Sequence, residues 1–255
     1  MIIDAHLHLD ERHDGTVRGA AQELNRQILE SDISRVVALH LQTQGWSMHE
    51  FAEAIAPYPC IKGFVNLHPH RSNPEVELIE AVEKLGFIGL KLHPRLQEFG
   101  VDDVETQKLA AAAGEMDLPV LIDAFPDGTH LMQDFNAVRY ANLARSCPKT
   151  RFVWAHMGGH KVLDFMMLAK RLPNVYMDFS YSFLYYRGSS IPQDLVYAMR
   201  SMRFERVFYG SDYPDRPLKV SLDMAVKQLH SLDVSESDME KILYTNAAQF
   251  FRWPD

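Results

Sequence analysis

Ile2-Ile3-Asp4-Ala5-His6-Leu7-His8-Leu9-Asp10 opens the chain with an alternation of two sets of residues. A period of two is typical of a β-strand, so we expect the even-numbered residues on one face and the odd-numbered residues on the other. Two imidazoles, His6 and His8, would then project from the same face at the end of the strand. There they can reach one cation such as Zn²⁺, at metal–nitrogen distances of about 2.0–2.1 Å. The alternative interpretation is a pair of solvated polar side chains.

Seven further apolar runs follow this stretch, and amphipathic segments of helical period separate them. No linker or low-complexity segment divides the chain. Eight strand–helix units in 255 residues predict an α/β fold, a (β/α)₈ TIM barrel that residues 1–255 form as a single domain. The predicted strands are Ile2–Leu9, Val36–Leu41, Ile61–Leu67, Phe87–Leu92, Pro119–Ala124, Arg151–Ala155, Asn174–Phe179 and Arg206–Gly210.

A doubly wound open sheet is the alternative fold. Such sheets usually carry a glycine-rich phosphate-binding turn after the first strand, and none follows Leu9. After the eighth run, Ser235-Glu236-Ser237-Asp238 resembles a capping box. This motif predicts an extra C-terminal helix that continues through Phe251.

The composition argues against several classes of partner. The net charge is −8 and no dense Lys/Arg run is present, which disfavours nucleic acid and anionic membrane surfaces. Two cysteines, Cys60 and Cys147, supply no disulfide framework, as is typical of a reducing cytosol. The sequence shows no signal peptide and no apolar run of about 18 residues. It predicts a cytoplasmic protein with a small-molecule substrate, and it leaves a homo-oligomer open.

Polar residues cluster at the ends of the predicted strands. In (β/α)₈ barrels the chemistry takes place at the C-terminal ends of the strands, so these residues are the candidates for function. Seven of the twelve histidines lie there, which a random scatter would not produce. Satisfied core histidines could explain His40 or His93 individually, but they explain the set poorly. The candidates are His6, His8, His40, His68, His70, Lys91, His93, Asp123, His156 and Asp212.

Five segments resemble motifs of the amidohydrolase superfamily. They are His6–His8, Gly89–Pro94, Trp154–Gly159, Gly210–Pro214 and Asn246–Phe250. Within that superfamily they are most similar to the branch of small barrels that contains aminocarboxymuconate-semialdehyde decarboxylase and related hydrolases. The resemblance extends over essentially the whole chain, and it indicates a superfamily rather than a substrate.

The resemblance implies that His6, His8 and Asp212 bind a divalent metal, and that His156 is a further ligand or an acid–base group. The expected metal is Zn²⁺, with Mn²⁺ as the alternative. Zinc lowers the pKa of a bound water to about 7, and a carboxylate that touches both water and metal can take the proton. Asp212 fits this role. A neutral His156 can polarise a carbonyl or relay the proton to the leaving group.

Asp123 is a departure from the family, which usually has a histidine ligand at the end of strand 5. We expect Asp123 to bind the metal itself, giving a harder site that admits Mn²⁺ more readily. Two alternatives remain for its carboxylate: it accepts a hydrogen bond from a ligand histidine, or it pairs with Lys91. A further alternative is that the metal site has lapsed, as in relatives whose lactone hydrolysis is thought not to need a metal.

Lys91 occupies the strand-4 position at which binuclear members of the superfamily carry a carbamylated lysine. We favour an unmodified ammonium that pairs with Asp123 or with a carboxylate of the substrate. His93 and Arg187 are the other predicted substrate-binding residues, and Arg95 could add positive charge at the mouth of the barrel.

The predicted activity is therefore metal-dependent hydrolysis of a small anionic substrate such as a lactone, a cyclic amide or an ester, with Asp212 and His156 as catalytic residues. The rival reaction is nonoxidative decarboxylation of an unsaturated or aromatic acid, which the resembled branch also performs. The alternative outside enzymes is a lapsed barrel that serves as a ligand-binding protein.

Overall fold

Eight short apolar segments form the parallel strands of one sheet, and neighbours in the sheet follow one another along the chain. The computed structural model describes residues 1–253. Its ladder closes between the first and last strands, because the Ala5 N–H donates to Tyr209 O over 2.9 Å and the Asp212 N–H donates to His6 O over 2.9 Å. The predicted (β/α)₈ barrel is confirmed.

Helices cover the outer face of the sheet and side chains of the strands fill its interior, so both faces are buried and the strands consist largely of apolar residues. The strands are β1 (Ile2–Leu7), β2 (Ile33–Leu39), β3 (Ile61–Asn66), β4 (Gly89–Leu92), β5 (Val120–Ile122), β6 (Phe152–Trp154), β7 (Val175–Asp178) and β8 (Val207–Phe208). The α-helices are α1 (Val17–Leu29), α2 (Met48–Ile55), α3 (Pro74–Glu83), α4 (Pro94–Gln97), α5 (Val104–Glu115), α6 (Gly128–Met132), α7 (Ala137–Ser146), α8 (Val162–Ala169), α9 (Ser182–Tyr185), α10 (Ile191–Ser201), α11 (Leu218–Ser231), α12 (Glu236–Glu240) and α13 (Asn246–Phe251). Two 3₁₀ segments span Gln42–Gln44 and Ala155–Lys161, and a π-helical turn spans Lys241–Thr245.

The first strand does not alternate as the sequence predicts. Ile3 and Ala5 pack with the side chains inside the barrel, whereas Leu7 and Leu9 pack between the barrel and its helices. The pairing with β2 shifts in register between Asp4 and Leu7, where the alternation changes phase. The prediction of one uninterrupted alternation was therefore wrong.

The Asp4 side chain stabilises this irregular stretch. Its Oδ1 accepts the N–H of His6 over 3.1 Å and the N–H of Ser211 over 3.0 Å. Asp4 is fully buried, and burial raises the pKa of its carboxyl from 3.8 to about 7. The change of register between Asp4 and Leu7 places the His6 side chain inside the barrel mouth, at the same end as His8.

The predicted C-terminal helix covers the N-terminal end of the barrel. It runs from α12 through the π-helical turn into α13, and Ser235 caps it by accepting the N–H of Asp238 over 3.2 Å. Ala247 and Phe250 pack against the apolar side chains inside the barrel. No described helix combines the length and the apolar character that crossing a bilayer requires.

Candidate active site

Two imidazoles from β1 and one carboxylate from the loop after β8 meet at the C-terminal end of the barrel. His6 Nε2 lies 3.4 Å from Asp212 Oδ1, and His8 Nε2 lies 3.8 Å from the same oxygen. One ligand atom from each of the three residues lies within 4.8 Å of the other two. Two imidazoles and a carboxylate form a common donor set for Zn²⁺ and other divalent metals.

The tautomers of both histidines suit metal binding. His6 Nδ1 lies 3.0 Å from Asp178 Oδ2, and His8 Nδ1 lies 2.9 Å from Leu39 O. Each of these oxygens accepts a hydrogen bond, so each Nδ1 carries the proton and each Nε2 presents its lone pair toward Asp212. Burial is the main cause that lowers the pKa of both imidazoles. The residues present therefore fit a divalent metal.

Asp178, at the end of β7, contacts both the His6 side chain and the backbone of His156. Besides His6, its carboxylate accepts the backbone N–H of His156 over 3.0 Å and the backbone N–H of Ser180 over 3.1 Å. The Ser180 hydroxyl also donates to it. These donors, together with His6 and His156, outweigh the effect of burial and hold the pKa of Asp178 below its usual range. Asp178 is thus a buried anion that orients His6.

The backbone approaches the His6 side chain closely at Gly210, and it is strained at His156 and Asp212. A Cβ on Gly210 would lie 2.7 Å from the Cβ of His6, so only glycine fits there without displacing His6. His156 and Asp212 both adopt left-handed conformations, with φ of 61° and 54°. Left-handed backbone in non-glycine residues is uncommon and concentrates at functional sites.

His156 lies beside the three candidate ligands. Its Nδ1 is 2.9 Å from Ser180 O, and its Nε2 is 3.3 Å from Asp123 Oδ1. Burial acts to lower the pKa of His156, but the carboxylates of Asp123, Asp212 and Asp178 outweigh it and raise the pKa above its usual range. A protonated imidazole at this position can act as a general acid.

Lys91 and His93 line the interior on the strand-4 side. The Lys91 ammonium is fully buried, and it has no hydrogen-bond partner and no carboxylate within 4.0 Å among residues 1–253. Burial lowers the pKa of Lys91, and burial also lowers the pKa of His93 to about 3. The predicted pairing of Lys91 with Asp123 is therefore absent from the described part of the chain, and Asp123 instead contacts His156 and Arg95.

A cavity of about 400 Å³ opens at the mouth of the barrel, beside His156 and Asp212. Its walls combine aromatic rings with charged side chains, and Arg95 contributes the positive charge. The Arg95 guanidinium donates to Asp127 over 2.8 Å, which fixes it at the wall. The lining residues are Arg95, Phe125, Asp127, His156, Tyr181, Tyr185, Asp212 and Asp215.

Arg187 does not join the site. It is exposed and lines a separate cavity between α9 and α11, together with Phe183 and Lys227. Arg187 lies two residues beyond the end of α9, whereas Tyr181 and Tyr185 at the two ends of that helical turn line the mouth cavity. This placement does not agree with the prediction that Arg187 binds the substrate. Arg95, rather than Arg187, lines the mouth cavity.

Two of the other strand-end histidines, His40 and His68, contact backbone carbonyl oxygens, and the third, His70, makes no such contact within residues 1–253. His40 Nε2 lies 2.9 Å from Trp46 O, and His68 Nε2 lies 2.8 Å from Gln97 O. His70 is exposed at the surface. Sequence reasoning missed Asp178 as a member of the site, although it ends a predicted strand and the rule applied to the other strands would have found it.

The sequence matches the family model described as amidohydrolase over residues 3–253. Among curated protein sequences, none matches this chain.

Several solved structures have the same fold. A probable 2-pyrone-4,6-dicarboxylic acid hydrolase from Acinetobacter baumannii, with citric acid bound, superposes with a TM-score of 0.74 and 16% identity over 99% of both chains. An amidohydrolase from Burkholderia multivorans with bound zinc gives a TM-score of 0.72 and 14% identity over 100% of both chains. The 5-carboxyvanillate decarboxylase of Sphingomonas paucimobilis gives a TM-score of 0.69 and 13% identity over 98% of both chains. At these identities the likeness establishes the fold alone.

Proposed function

This chain belongs to the amidohydrolase family and is an enzyme of that superfamily, and we propose that it is a metal-dependent hydrolase of a small anionic substrate. Lactones, cyclic amides and esters are the proposed substrate classes. The observation that carries the proposal is the meeting of His6, His8 and Asp212 with both Nε2 atoms directed at one carboxylate.

In this proposal His6, His8 and Asp212 hold one divalent metal, with Zn²⁺ preferred over Mn²⁺. When bound, the metal supplies Lewis acidity toward a carbonyl group and acidifies water. Asp212 accepts the proton of the attacking water, because its carboxylate lines the cavity and faces both histidines. His156 gives a proton to the leaving group, a role that its raised pKa supports.

The charges of the site favour an anionic substrate. Arg95 places a guanidinium in the wall of the mouth cavity. Lys91 adds a buried ammonium that has no carboxylate within 4.0 Å among the described residues and whose charge acts on His6 and His8. Phe125, Tyr181 and Tyr185 supply flat apolar walls that suit an unsaturated ring. A cytosolic location and a small-molecule substrate as the partner complete the proposal.

A second candidate reaction is nonoxidative decarboxylation of an unsaturated or aromatic acid. The raised pKa of His156 favours it, because such a reaction must add a proton to the carbon that carbon dioxide leaves. The buried Lys91 ammonium could hold a carboxylate of the substrate during this step.

Metal analysis followed by a substrate screen tests the proposal. We expect close to one equivalent of metal per chain in purified protein, and its loss in the double variant His6→Ala/His8→Ala. Full metal content in that variant would rule out the assigned ligands. A screen of lactones and carboxylic acids, with and without chelator, then separates the two reactions, since only decarboxylation releases carbon dioxide.

A further inference from the structure

Asp123 follows β5, and its main chain is fixed on both sides. Its N–H donates to Leu92 O over 3.0 Å, and its carbonyl oxygen accepts the Tyr140 hydroxyl over 2.8 Å. The residue is only 1% exposed. Its carboxylate therefore has little freedom to turn away from the barrel mouth.

Four nitrogen-bearing side chains surround this carboxylate. His156 Nε2 lies 3.3 Å from Oδ1, and Arg95 Nε lies 3.6 Å from Oδ2. His93 Nδ1 and His130 Nδ1 lie farther out, at 3.7 and 4.0 Å from Oδ2. Burial opposes the charge, but His93, His156 and Arg95 outweigh it and hold the pKa of Asp123 well below its usual range. Asp123 is a buried anion among bases and cations.

Asp123 is also absent from the groups whose ligand atoms approach one another closely enough to share an ion. Within residues 1–253, those groups are His6, His8 and Asp212, and His6, His156 and Asp178. We propose that Asp123 is a positioning residue that holds His156 and Arg95 at the mouth cavity, rather than a metal ligand. This inference rests on the proposed function, since it presumes a metal on His6, His8 and Asp212.

The proposed role has a physical consequence for each partner. The His156 ring lies between two oxygens, Ser180 O at 2.9 Å from Nδ1 and Asp123 Oδ1 at 3.3 Å from Nε2, and the carboxylate has no hydrogen-bond partner in the described residues, so it attracts the imidazolium by its charge. Arg95 spans two carboxylates, Asp123 and Asp127, so its guanidinium stays at the cavity wall. Groups that are ordered in advance lose less conformational entropy when an anionic substrate binds.

Three variants separate positioning from ligation. Asp123→Asn keeps the shape of the side chain and removes its charge. Asp127→Asn removes the other carboxylate on Arg95 and leaves His156 untouched, while asparagine can still cap α6. His8→Ala removes a candidate ligand. The readouts are the bound metal, the ratio of Zn²⁺ to Mn²⁺ affinity, and the NMR resonances of the Arg95 Nε–H and the His156 ring in chelator-treated protein.

Opposite patterns are expected from the charge variants and the ligand variant. Asp123→Asn should bind one equivalent of metal, with the affinity ratio within about threefold of the parent, while both resonances move. Asp127→Asn should move only the Arg95 resonance. His8→Ala should lose at least about tenfold in metal affinity and leave both resonances in place.

Two results would overturn the inference. One is a Zn²⁺/Mn²⁺ ratio that changes about tenfold or more in Asp123→Asn, which would make Asp123 a ligand. The other is an Asp123→Asn protein in which the Arg95 and His156 resonances do not move. A parent protein that binds no metal would contradict the proposed function instead, and the NMR comparison would still decide the role of Asp123. Asp123→Ser replaces Asp123→Asn if the latter does not fold.

Discussion

At the scale of single residues, the site depends on which ring nitrogen of each strand-1 histidine faces Asp212. Asp178 fixes this for His6, and the carbonyl oxygen of Leu39 fixes it for His8. A side-chain acceptor and a backbone acceptor thus perform the same task. The side-chain acceptor is open to mutation, and it can be used to measure what orientation contributes.

Asp178→Asn is expected to lower metal affinity by about 10–100-fold, because the amide no longer presents two acceptor oxygens to the His6 N–H and its neighbours. A competition titration against a chelating indicator measures the affinity. Asp215→Asn, at the rim of the mouth cavity, is the control and should bind metal like the parent. Equal affinity in Asp178→Asn and the parent would show that His6 needs no such partner.

Asp212→Asn is expected to lower kcat by about 10²-fold or more with a much smaller change in KM, because an amide cannot accept the proton of the attacking water. The assay is run at saturating metal once a substrate is known, so that weaker coordination does not obscure the result. A kcat near that of the parent would remove Asp212 from the proton transfer.

At the scale of elements, the strands could be predicted from the sequence and the irregularity of β1 could not. Apolar runs and their spacing are local properties, and each predicted run overlaps an observed strand. The phase change in β1 depends on the Ser211 N–H, which lies 207 residues away in the chain and reaches Asp4 only when the barrel closes. Local alternation carries no signal for such a contact.

Asp4→Asn tests this irregular stretch through the pH dependence of stability. The folded parent retains a proton on Asp4 up to a pKa of about 7, while the unfolded chain releases it near 3.8. The parent's free energy of unfolding therefore falls as pH rises between these values, and the loss is complete above pH 7. Asparagine retains an acceptor for the two N–H groups and does not ionise.

The free energy of unfolding of Asp4→Asn, relative to the parent, should rise by on the order of 2 kcal/mol between pH 5 and pH 8. Urea unfolding of both proteins in chelator, at the two pH values, measures this difference and cancels the contribution of the histidines. A difference that does not depend on pH would mean that Asp4 is ionised in the folded protein at pH 5.

The placement of loop side chains marks the limit of the sequence interpretation. Histidines and acidic residues at strand ends were found because the barrel topology fixes where a strand ends. Arg187 was assigned from its position in the chain, yet the cavity that it lines depends on how α9 packs on α11. Side-chain direction in a loop is set by such tertiary contacts rather than by local sequence.

At the scale of the whole molecule, stability and chemistry occupy opposite ends of the barrel, as in other (β/α)₈ proteins. The C-terminal helix covers the end at which the strands begin, and the candidate ligands lie at the end at which they finish. Phe250 is a buried aromatic side chain of this helix, with its ring centroid 4.4 Å from that of Tyr176 and 5.0 Å from that of Phe208.

Phe250→Ala is expected to lower the free energy of unfolding by about 3–5 kcal/mol, because it leaves a cavity among buried aromatic rings. Metal affinity should remain that of the parent, since the substitution lies at the far end of the barrel. Urea unfolding and metal titration measure the two quantities. Tyr197→Ala, at a side chain that is 58% exposed, is the control, and its effect should stay within about 0.5 kcal/mol. A loss of metal affinity in Phe250→Ala would show that the two ends are coupled.

Because the first strand pairs with the last, the barrel cannot close until nearly the whole chain has been synthesised. His6 and Asp212 are 206 residues apart (212 − 6). Since translation adds about 5–20 residues per second, the two imidazoles precede their carboxylate by on the order of 10–40 s. Until Tyr209 is added, the edge of β1 that pairs with it has no partner within the chain, and such an edge can pair with another chain. The time needed for synthesis therefore sets a lower limit on how long the growing polypeptide carries half of the proposed metal site and an open sheet.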